Sequence, residues 1–138
     1  MIKHILLAFD GSEPSSKAFD AAVDLAQRYQ AQLHVLTVAE APEIGDEVET
    51  EAVIEHARNY HKGLLHGLKH RGDPYGVKPH FQMMVGHPAQ QILEHAVLVK
   101  ADLIVVGHRG HGALDRWRLG SVSHRIISYA ECAVMVVR

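Results

Sequence analysis

Short runs of apolar and β-branched residues alternate with longer segments of helical periodicity along all 138 residues. Buried strands joined by amphipathic helices are typical of an open parallel sheet that helices cover on both faces. The pattern therefore predicts a single α/β domain over residues 1–138, without a linker or an internal repeat. The five predicted strands are Ile5–Phe9, Leu33–Ala39, Val77–Val85, Leu103–Val106 and Ala133–Val137.

The segments between these strands have the i, i+3, i+4 apolar spacing of helices that bury one face. The first helix is predicted to begin near Ser15, with Ser12 or Ser15 as its cap and Pro14 in its first turn. The other helices are predicted at Glu47–Arg71, after a loop at Ala41–Asp46, from Pro88 through Val97, and from Ser121 through Ile127. The predicted buried stripe of the long helix is Val53, Ala57, Tyr60, Leu64 and Leu68.

The third predicted strand differs from the others because it contains a proline, Pro79. Proline has no N–H to donate to the hydrogen-bond ladder of a sheet, so it is confined to edge strands, strand starts and bulges. The residues of this strand also alternate in a half-buried pattern. Both features predict that the strand lies at an edge of the sheet.

Charge and composition exclude several classes of protein. Fourteen Lys and Arg residues against sixteen Asp and Glu give a net charge of -2, which disfavours a nucleic-acid binder. No apolar run approaches the roughly 18–20 residues that span a bilayer, so a protein embedded in the membrane is not expected. The single cysteine, Cys132, excludes an internal disulfide and a Cys-rich metal site, and we expect a buried, inert thiol. These features predict a cytoplasmic protein.

Two polar segments follow predicted strands, where an open parallel sheet binds its ligands. The first is Asp10-Gly11-Ser12, and the second begins at Gly107 and continues to Gly120-Ser121-Val122-Ser123 at a helix start. Helix N-terminal N–H groups favour an anion, and glycines permit positive φ or a close approach of the backbone. The nearby positive charges are Arg109, Arg116 and Arg118. Taken alone, these residues leave two readings open, a phosphate site and a loop whose glycines turn the chain before Ser121 caps a helix.

Two common nucleotide motifs are absent. There is no G-x-x-x-x-G-K-[ST] sequence, which excludes a P-loop NTPase. The glycines after the fourth strand run G-x-x-G-x-G, which disfavours a classical dinucleotide-binding domain.

The spacing Gly107-x2-Gly110-x9-Gly120-Ser121 resembles the nucleotide-binding signature of the universal stress protein family, in its ATP-binding branch. The opening run from Ile5 to Ser12, followed by an Ala-rich helix, is similar to the start of that family. The agreement in element order covers nearly the whole chain. The resemblance implies a Rossmann-like sheet of strand order 3-2-1-4-5, with the first and fourth strands on either side of one crevice.

The resemblance also implies the ligand and its contacts. Asp10 and the main chain of Val38 would hold adenosine, while Gly107 and Gly110 would line the ribose and the α-phosphate. The β- and γ-phosphates would meet Gly120, Ser121, Val122 and Ser123, and Arg109 would add positive charge. With ATP, Mg²⁺ or Mn²⁺ is expected to be held through the phosphates rather than by dedicated protein ligands.

Three features need separate interpretation. His108 follows the first motif glycine, where the family often has a small residue, and Arg109 follows it; neither need block the site, and whether either alters contacts to phosphate or a metal is left open. Phe9 either narrows the pocket or packs under a helix. The histidines His56, His66 and His70 of the long helix are interpreted as a solvated face, although His66 and His70 have the i, i+4 spacing of a metal pair.

The main hypothesis is an ATP-binding regulatory protein in which the nucleotide favours one assembly state or the binding of an unidentified partner protein. A homodimer is expected through Ala133–Val137, since an apolar edge strand is an aggregation risk in a monomer; a tetramer remains open. The alternatives are a slow ATPase, with His108 or His111 as the base, and an interaction module that works without nucleotide. No catalytic residue is assigned.

Overall fold

The computed structural model describes residues 1–40, 47–110 and 118–138. The predicted loop at 41–46, and His111 and Arg116, lie outside these ranges. Five strands are present: β1 (His4–Ala8), β2 (Gln32–Ala39), β3 (His80–Val85), β4 (Leu103–Gly107) and β5 (Ala133–Val137). The helices are α1 (Glu13–Tyr29), α2 (Glu47–Leu68), α3 (Pro88–Leu98) and α4 (Ser121–Tyr129), with a 3₁₀ turn at Asp73–Tyr75.

All five strands are parallel and form one sheet in the order β3-β2-β1-β4-β5, which confirms the expected α/β fold. β1 lies at the centre, with Leu6 opposite His34 of β2 on one side and Ile104 of β4 on the other. The winding direction therefore reverses between β1 and β4, and a crevice is expected at their carboxyl ends.

β3 lies at one edge of the sheet, as Pro79 indicated. The strand begins at His80 rather than at Val77. The physical reason is that Pro79 has no N–H to donate, so pairing with β2 starts one residue later, at His34 opposite His80.

The two faces of the sheet build two separate cores, because successive side chains of a strand point to opposite faces. On the face covered by α1 and α2, Phe19 packs among buried residues that include Ile5, Leu7, Leu33 and Val35. The residues on the other face, under α3 and α4, include Leu6, Leu36, Ile92, Ile104 and Ile126. This arrangement confirms that helices cover both faces.

The predicted stripe of α2 is partly wrong. Val53 is 52% exposed and Tyr60 is 53% exposed, whereas Leu68 is buried. The predicted Ala57 and Leu64 are half-buried, and His61 takes the place of Tyr60 on the face that packs on the sheet, where it is hydrogen-bonded to Thr37 of β2. The helix also ends at Leu68 rather than at Arg71.

The start of α1 agrees with the sequence analysis. Ser12 is the N-cap, its hydroxyl accepts the N–H of Ser15 at 3.3 Å, and Pro14 lies in the first turn. Cys132 is half-buried, and its burial raises the pKa of the thiol, which favours the unreactive protonated form. In the described part of the chain, no helix combines the length and the apolar character needed to cross a membrane.

Candidate functional site

A crevice of about 1060 Å³ opens at the carboxyl ends of the central strands. It is bounded by the ends of β1, β2 and β4, by the start of α4 and by one side of α2. All nine residues predicted to bind the cofactor line it: Asp10, Val38, Gly107, Arg109, Gly110, Gly120, Ser121, Val122 and Ser123. Residues far apart in the sequence thus meet at the predicted switch point.

Asp10 is both a turn residue and a wall of the crevice. Its Oδ1 accepts the backbone N–H of Ser12 at 2.9 Å, across Gly11, which has φ 85°. Its other oxygen, Oδ2, lies where a Cβ on Gly110 would be. Gly110 therefore lets the backbone after β4 pass directly beside the Asp10 carboxylate.

Gly107 and Gly120 are required by close packing rather than by backbone dihedral angles, since neither has a positive φ. A Cβ on Gly107 would lie 2.9 Å from the backbone of Pro14 and Ser15, at the first turn of α1. A Cβ on Gly120 would lie 3.1 Å from Cα of Arg109. The Gly120 N–H also donates to the carbonyl of His108 at 2.6 Å, so the two ends of this loop are joined.

The N-terminus of α4 faces the crevice. Gly120 occupies the cap position with no side-chain capping hydrogen bond, and Ser121 is the first helical residue, so Ser121 is not the cap. The first N–H groups of an α-helix have no acceptor within the helix, and the helix dipole adds partial positive charge there. The amides of Ser121, Val122 and Ser123 can therefore bind an anion.

The hydroxyl of Ser123 has a different partner from the one predicted for it. It donates to the carbonyl of Gly107 at 2.6 Å, and the side chain is buried. While this bond holds, only the backbone N–H of Ser123 is available as a donor to a phosphate. The bond also ties the first turn of α4 to the end of β4.

Positive charge surrounds this helix end. Arg109, Arg118 and Arg125 line the crevice, and sequence reasoning had missed Arg125 because it lies within a helix. The Nε atom of Arg109 is buried and has no hydrogen-bond partner among the residues that the structure describes. The acidic lining residues are Asp10 and Glu40. Charge and backbone geometry together fit an anionic ligand.

His108 and Phe9 lie differently relative to the crevice. His108 is 6% exposed and does not line the crevice, while its backbone N–H donates to the carbonyl of Val137 at 2.7 Å. Its side chain is therefore not part of the crevice wall. Phe9 does line the crevice, and it also packs in the core beside Phe19.

Tyr60 and His61 of α2 also line the crevice, and the sequence analysis had not placed them there. Nδ1 of His61 lies 2.7 Å from Oγ1 of Thr37, whose side chain is 0% exposed. The bond joins a buried hydroxyl to the imidazole and so fixes the orientation of the His61 ring, and its direction depends on the tautomer of that ring.

No group of three or more His, Cys, Asp or Glu side chains within residues 1–40, 47–110 and 118–138 is arranged to hold a metal ion. His56, His66 and His70 are exposed, and Nδ1 of His70 pairs with Asp73 at 2.8 Å.

Comparison with known proteins gives a consistent result. A family model described as the universal stress protein family matches residues 1–138. A universal stress protein of Methanocaldococcus jannaschii is 36% identical over 141 residues, which cover 100% of this chain and 83% of the relative. Universal stress protein YxiE of Bacillus subtilis is 37% identical over 148 residues and covers 100% of both chains.

Solved structures share the fold. Universal stress protein UspA from Lactobacillus plantarum superposes with a TM-score of 0.91 at 25% identity, over 99% of this chain and 98% of that one. A universal stress protein in complex with cAMP gives a TM-score of 0.68 at 23% identity, over 99% and 97%. An Arabidopsis thaliana family protein with AMP bound gives 0.66 at 20% identity, over 98% and 90%. By family model, relatives and fold alike, the chain belongs to the universal stress protein family.

Proposed function

We propose that this protein binds an adenine nucleotide, ATP by expectation, in the crevice, and that the bound nucleotide controls assembly or partner binding in the cytoplasm. One observation carries the proposal. A helix N-terminus, a close-packed glycine loop and three arginines face Asp10 and the end of β2 across one crevice. The fold neighbours with cAMP and AMP are in keeping with this class of ligand.

The backbone of Val38 is suited to an adenine edge. The Phe9 N–H donates to the carbonyl of Leu36 at 2.9 Å, so the polar groups of Leu36 point towards β1. Backbone direction alternates along a strand, and Val38, two residues on, therefore points its N–H and C=O the same way. β1 has ended at Ala8, opposite Leu36, so these groups face the crevice. Together they offer one donor and one acceptor, as a ring nitrogen and the exocyclic amine of adenine require.

The phosphates would lie at the other end of the crevice. The amides of Ser121, Val122 and Ser123 and the charges of Arg109 and Arg118 favour anionic oxygens there. Asp10, beside Gly110, would accept from a ribose hydroxyl. Mg²⁺ or Mn²⁺ would be held through phosphate oxygens and water. Of the two histidines considered as the base of a slow ATPase, His108 does not line the crevice and His111 lies outside the described residues.

The first test is to extract small molecules from protein purified without added nucleotide, identify them by mass spectrometry, and then titrate ATP with Mg²⁺. Co-purified adenine nucleotide or saturable binding supports the proposal. No ligand and no binding at millimolar ATP would overturn it and leave the nucleotide-independent interaction module.

His61 gives a prediction for the same site. In Thr37→Val the side chain keeps its shape but loses the hydroxyl that orients the His61 ring. A hydrogen bond is worth ~0.5–1.5 kcal/mol, so we expect ATP affinity to fall roughly 2- to 12-fold. Isothermal titration calorimetry measures the change, with the exposed His66→Gln on the same helix as the control. An affinity equal to that of the wild type would exclude a role of His61 in binding.

The homodimer through β5 is part of the same proposal. β5 is the second edge of the described sheet, and Met135 on it is exposed. Because the carbonyl of Val137 accepts from His108 on the β4 side, the backbone groups of Met135 also point to β4, and those of Val134 and Val136 point outwards. A second copy could pair with these outward groups and remove the open edge.

Because backbone direction alternates along β5, the groups that could pair with a second copy differ from those that pair with β4. Val136→Pro removes an outward N–H, and proline is tolerated at such an edge position. We expect this variant to remain folded and to become monomeric, as measured by sedimentation equilibrium. Met135→Pro removes a bond to β4 and should instead unfold the edge. A wild-type monomer at all concentrations, or a dimeric Val136→Pro, would contradict this interface.

A further inference from the structure

Four histidines meet at the amino ends of the strands, at the opposite end of the sheet from the crevice. His4 begins β1, His34 lies near the start of β2, His80 begins β3, and His95 comes from α3. The His4 and His34 rings stack with centroids 5.8 Å apart, and the His34 and His80 rings stack at 5.3 Å. We call these four residues the histidine cluster.

The sheet register produces the stack. His34 lies directly opposite His80, and His4 lies two positions before Leu6, which is opposite His34. Side chains two residues apart share a face, so the three rings lie on the face of Leu6 and Leu36, under α3. His95 is buried at 5% exposure on that helix. The stack therefore crosses three strands of the sheet.

Three ring nitrogens of the cluster are buried without a hydrogen-bond partner in the described part of the chain: Nδ1 of His4, Nε2 of His34 and Nδ1 of His95. A neutral imidazole carries one N–H and can place it on the other nitrogen. An imidazolium carries an N–H on both nitrogens. Protonation would therefore create buried donors that have no acceptor, which is unfavourable.

Neighbouring positive charges make the protonation of His34 still less favourable. The charges that act on it are the imidazoles of His4 on β1, His80 on β3 and His95 on α3. Burial and these neighbours lower the pKa of His34, and burial lowers the pKa of His95. Lys78 is also positive, and it lies with His80 along a groove between the end of α1 and the segment that leads into β3.

The carboxylate of Asp102, in the segment before β4, acts on the cluster. It accepts the backbone N–H groups of Lys3 at 2.7 Å and His4 at 2.9 Å, and these bonds hold the pKa of the Asp102 carboxyl below its usual range. It interacts with the charge on His4 and with the N-terminal ammonium. Its effect thus falls on the His4 end of the stack, away from His80.

We propose that the histidine cluster makes the sheet sensitive to protons, so that on acidification β3 separates from β2 first. β3 pairs with β2 alone among the described strands, and its six residues are only partly buried. His80 is on this edge strand and directly faces His34, so repulsion between the two charged rings would act across the β2–β3 pairing. Protons would therefore bind preferentially to the state in which β3 has separated, at the far end of the sheet from the nucleotide crevice.

The sign of the effect follows from linkage. Above the ordinary histidine pKa of about 6.5, folded and unfolded chains are both neutral at these residues, and stability is complete. Below this pKa, His34 and His95 bind protons in the unfolded chain that they do not bind in the folded state. The unfolding equilibrium constant then rises by up to about tenfold per pH unit for each of these two histidines, until the pH reaches their folded-state pKa.

The test is urea unfolding of the nucleotide-free full chain at pH 7.5, 6.5 and 5.5, above the range where most carboxylates titrate. We expect the unfolding constant of the wild type to rise up to roughly a hundredfold between pH 7.5 and 5.5. His34→Gln should reduce this rise about tenfold, while His66→Gln, which removes an exposed histidine, should leave it unchanged. A wild type without pH dependence, or a His34→Gln variant with the full rise, would refute the proposal.

Two measurements on the wild type test the same proposal without the His34→Gln variant. In an NMR titration of ring carbon-bound protons, the midpoints of His34 and His95 are expected below the ordinary histidine pKa of about 6.5. In hydrogen exchange at pH 5.5, corrected for the intrinsic rate, the β3 amides should lose protection before those of β1 and β4. Ring midpoints at or above 6.5, or simultaneous loss of protection in all strands, would show that the cluster is structural only.

Discussion

Gly110→Ala is expected to weaken ATP binding roughly 10- to 150-fold while the protein remains folded. The added Cβ would clash with Oδ2 of Asp10, so the carboxylate must move away from the position in which it would accept from the ribose hydroxyl. A hydrogen bond to a charged group is worth ~1.5–3 kcal/mol, and the loss of this bond to the ligand sets the expected effect. Calorimetric titration with ATP and Mg²⁺ measures it.

A double-mutant cycle shows whether Gly110 acts through Asp10. If it does, Asp10→Ala and Gly110→Ala should each reduce affinity, and the double variant should be little worse than Asp10→Ala alone. Strictly additive losses would mean that the two residues contribute separately. Gly67→Ala is the matched control, because its added Cβ meets nothing within 4 Å.

Gly107→Ala is expected to destabilise the fold itself by ~1–3 kcal/mol, the usual range for overpacking. The new Cβ would lie 2.9 Å from backbone atoms of Pro14 and Ser15, which cannot turn aside as a side chain can. The first turn of α1 must therefore move away from β4. The hydrogen bond from Ser123 to the Gly107 carbonyl would be disturbed as well.

The same substitution in α2 should have the opposite sign. Gly67 lies inside an exposed helical segment, where alanine is favoured over glycine by ~0.5–1 kcal/mol. Urea denaturation of both variants compares the two free energies of unfolding. Equal stability of Gly107→Ala and the wild type would mean that α1 and β4 are not in tight contact.

Local sequence patterns were sufficient to predict the strands and the edge position of β3. The five apolar runs predict the strands because a buried parallel strand needs side chains that pack on both faces. Pro79 alone predicts the edge position of β3, since it cannot join a ladder. The strand order came from the resemblance carried by the glycine spacing, and the structure confirms it.

The register of α2 shows where local patterns fail. An apolar stripe placed Tyr60 on the sheet, whereas the residue that faces it is His61, paired with Thr37 across 24 positions of sequence. A polar pair that is satisfied inside the protein has no signature in either segment. A hydropathy scale ranks Thr37 and His61 as polar and predicts exposure, although each is the hydrogen-bond partner of the other.

The sequence by itself determined the strands, the covered sheet and the residues that gather at its carboxyl end, because these depend on short-range periodicity and motif spacing. Only the tertiary structure decided why the glycines are needed. The missing Cβ leaves room for the first turn of α1 beside Gly107, for the Asp10 carboxylate beside Gly110 and for the backbone of Arg109 beside Gly120. The tertiary structure also decided that His4, His34 and His80 would stack, since sheet register aligns residues that are 30 and 46 positions apart. Such contacts depend on which chain segments meet in space, and no single segment encodes its partner.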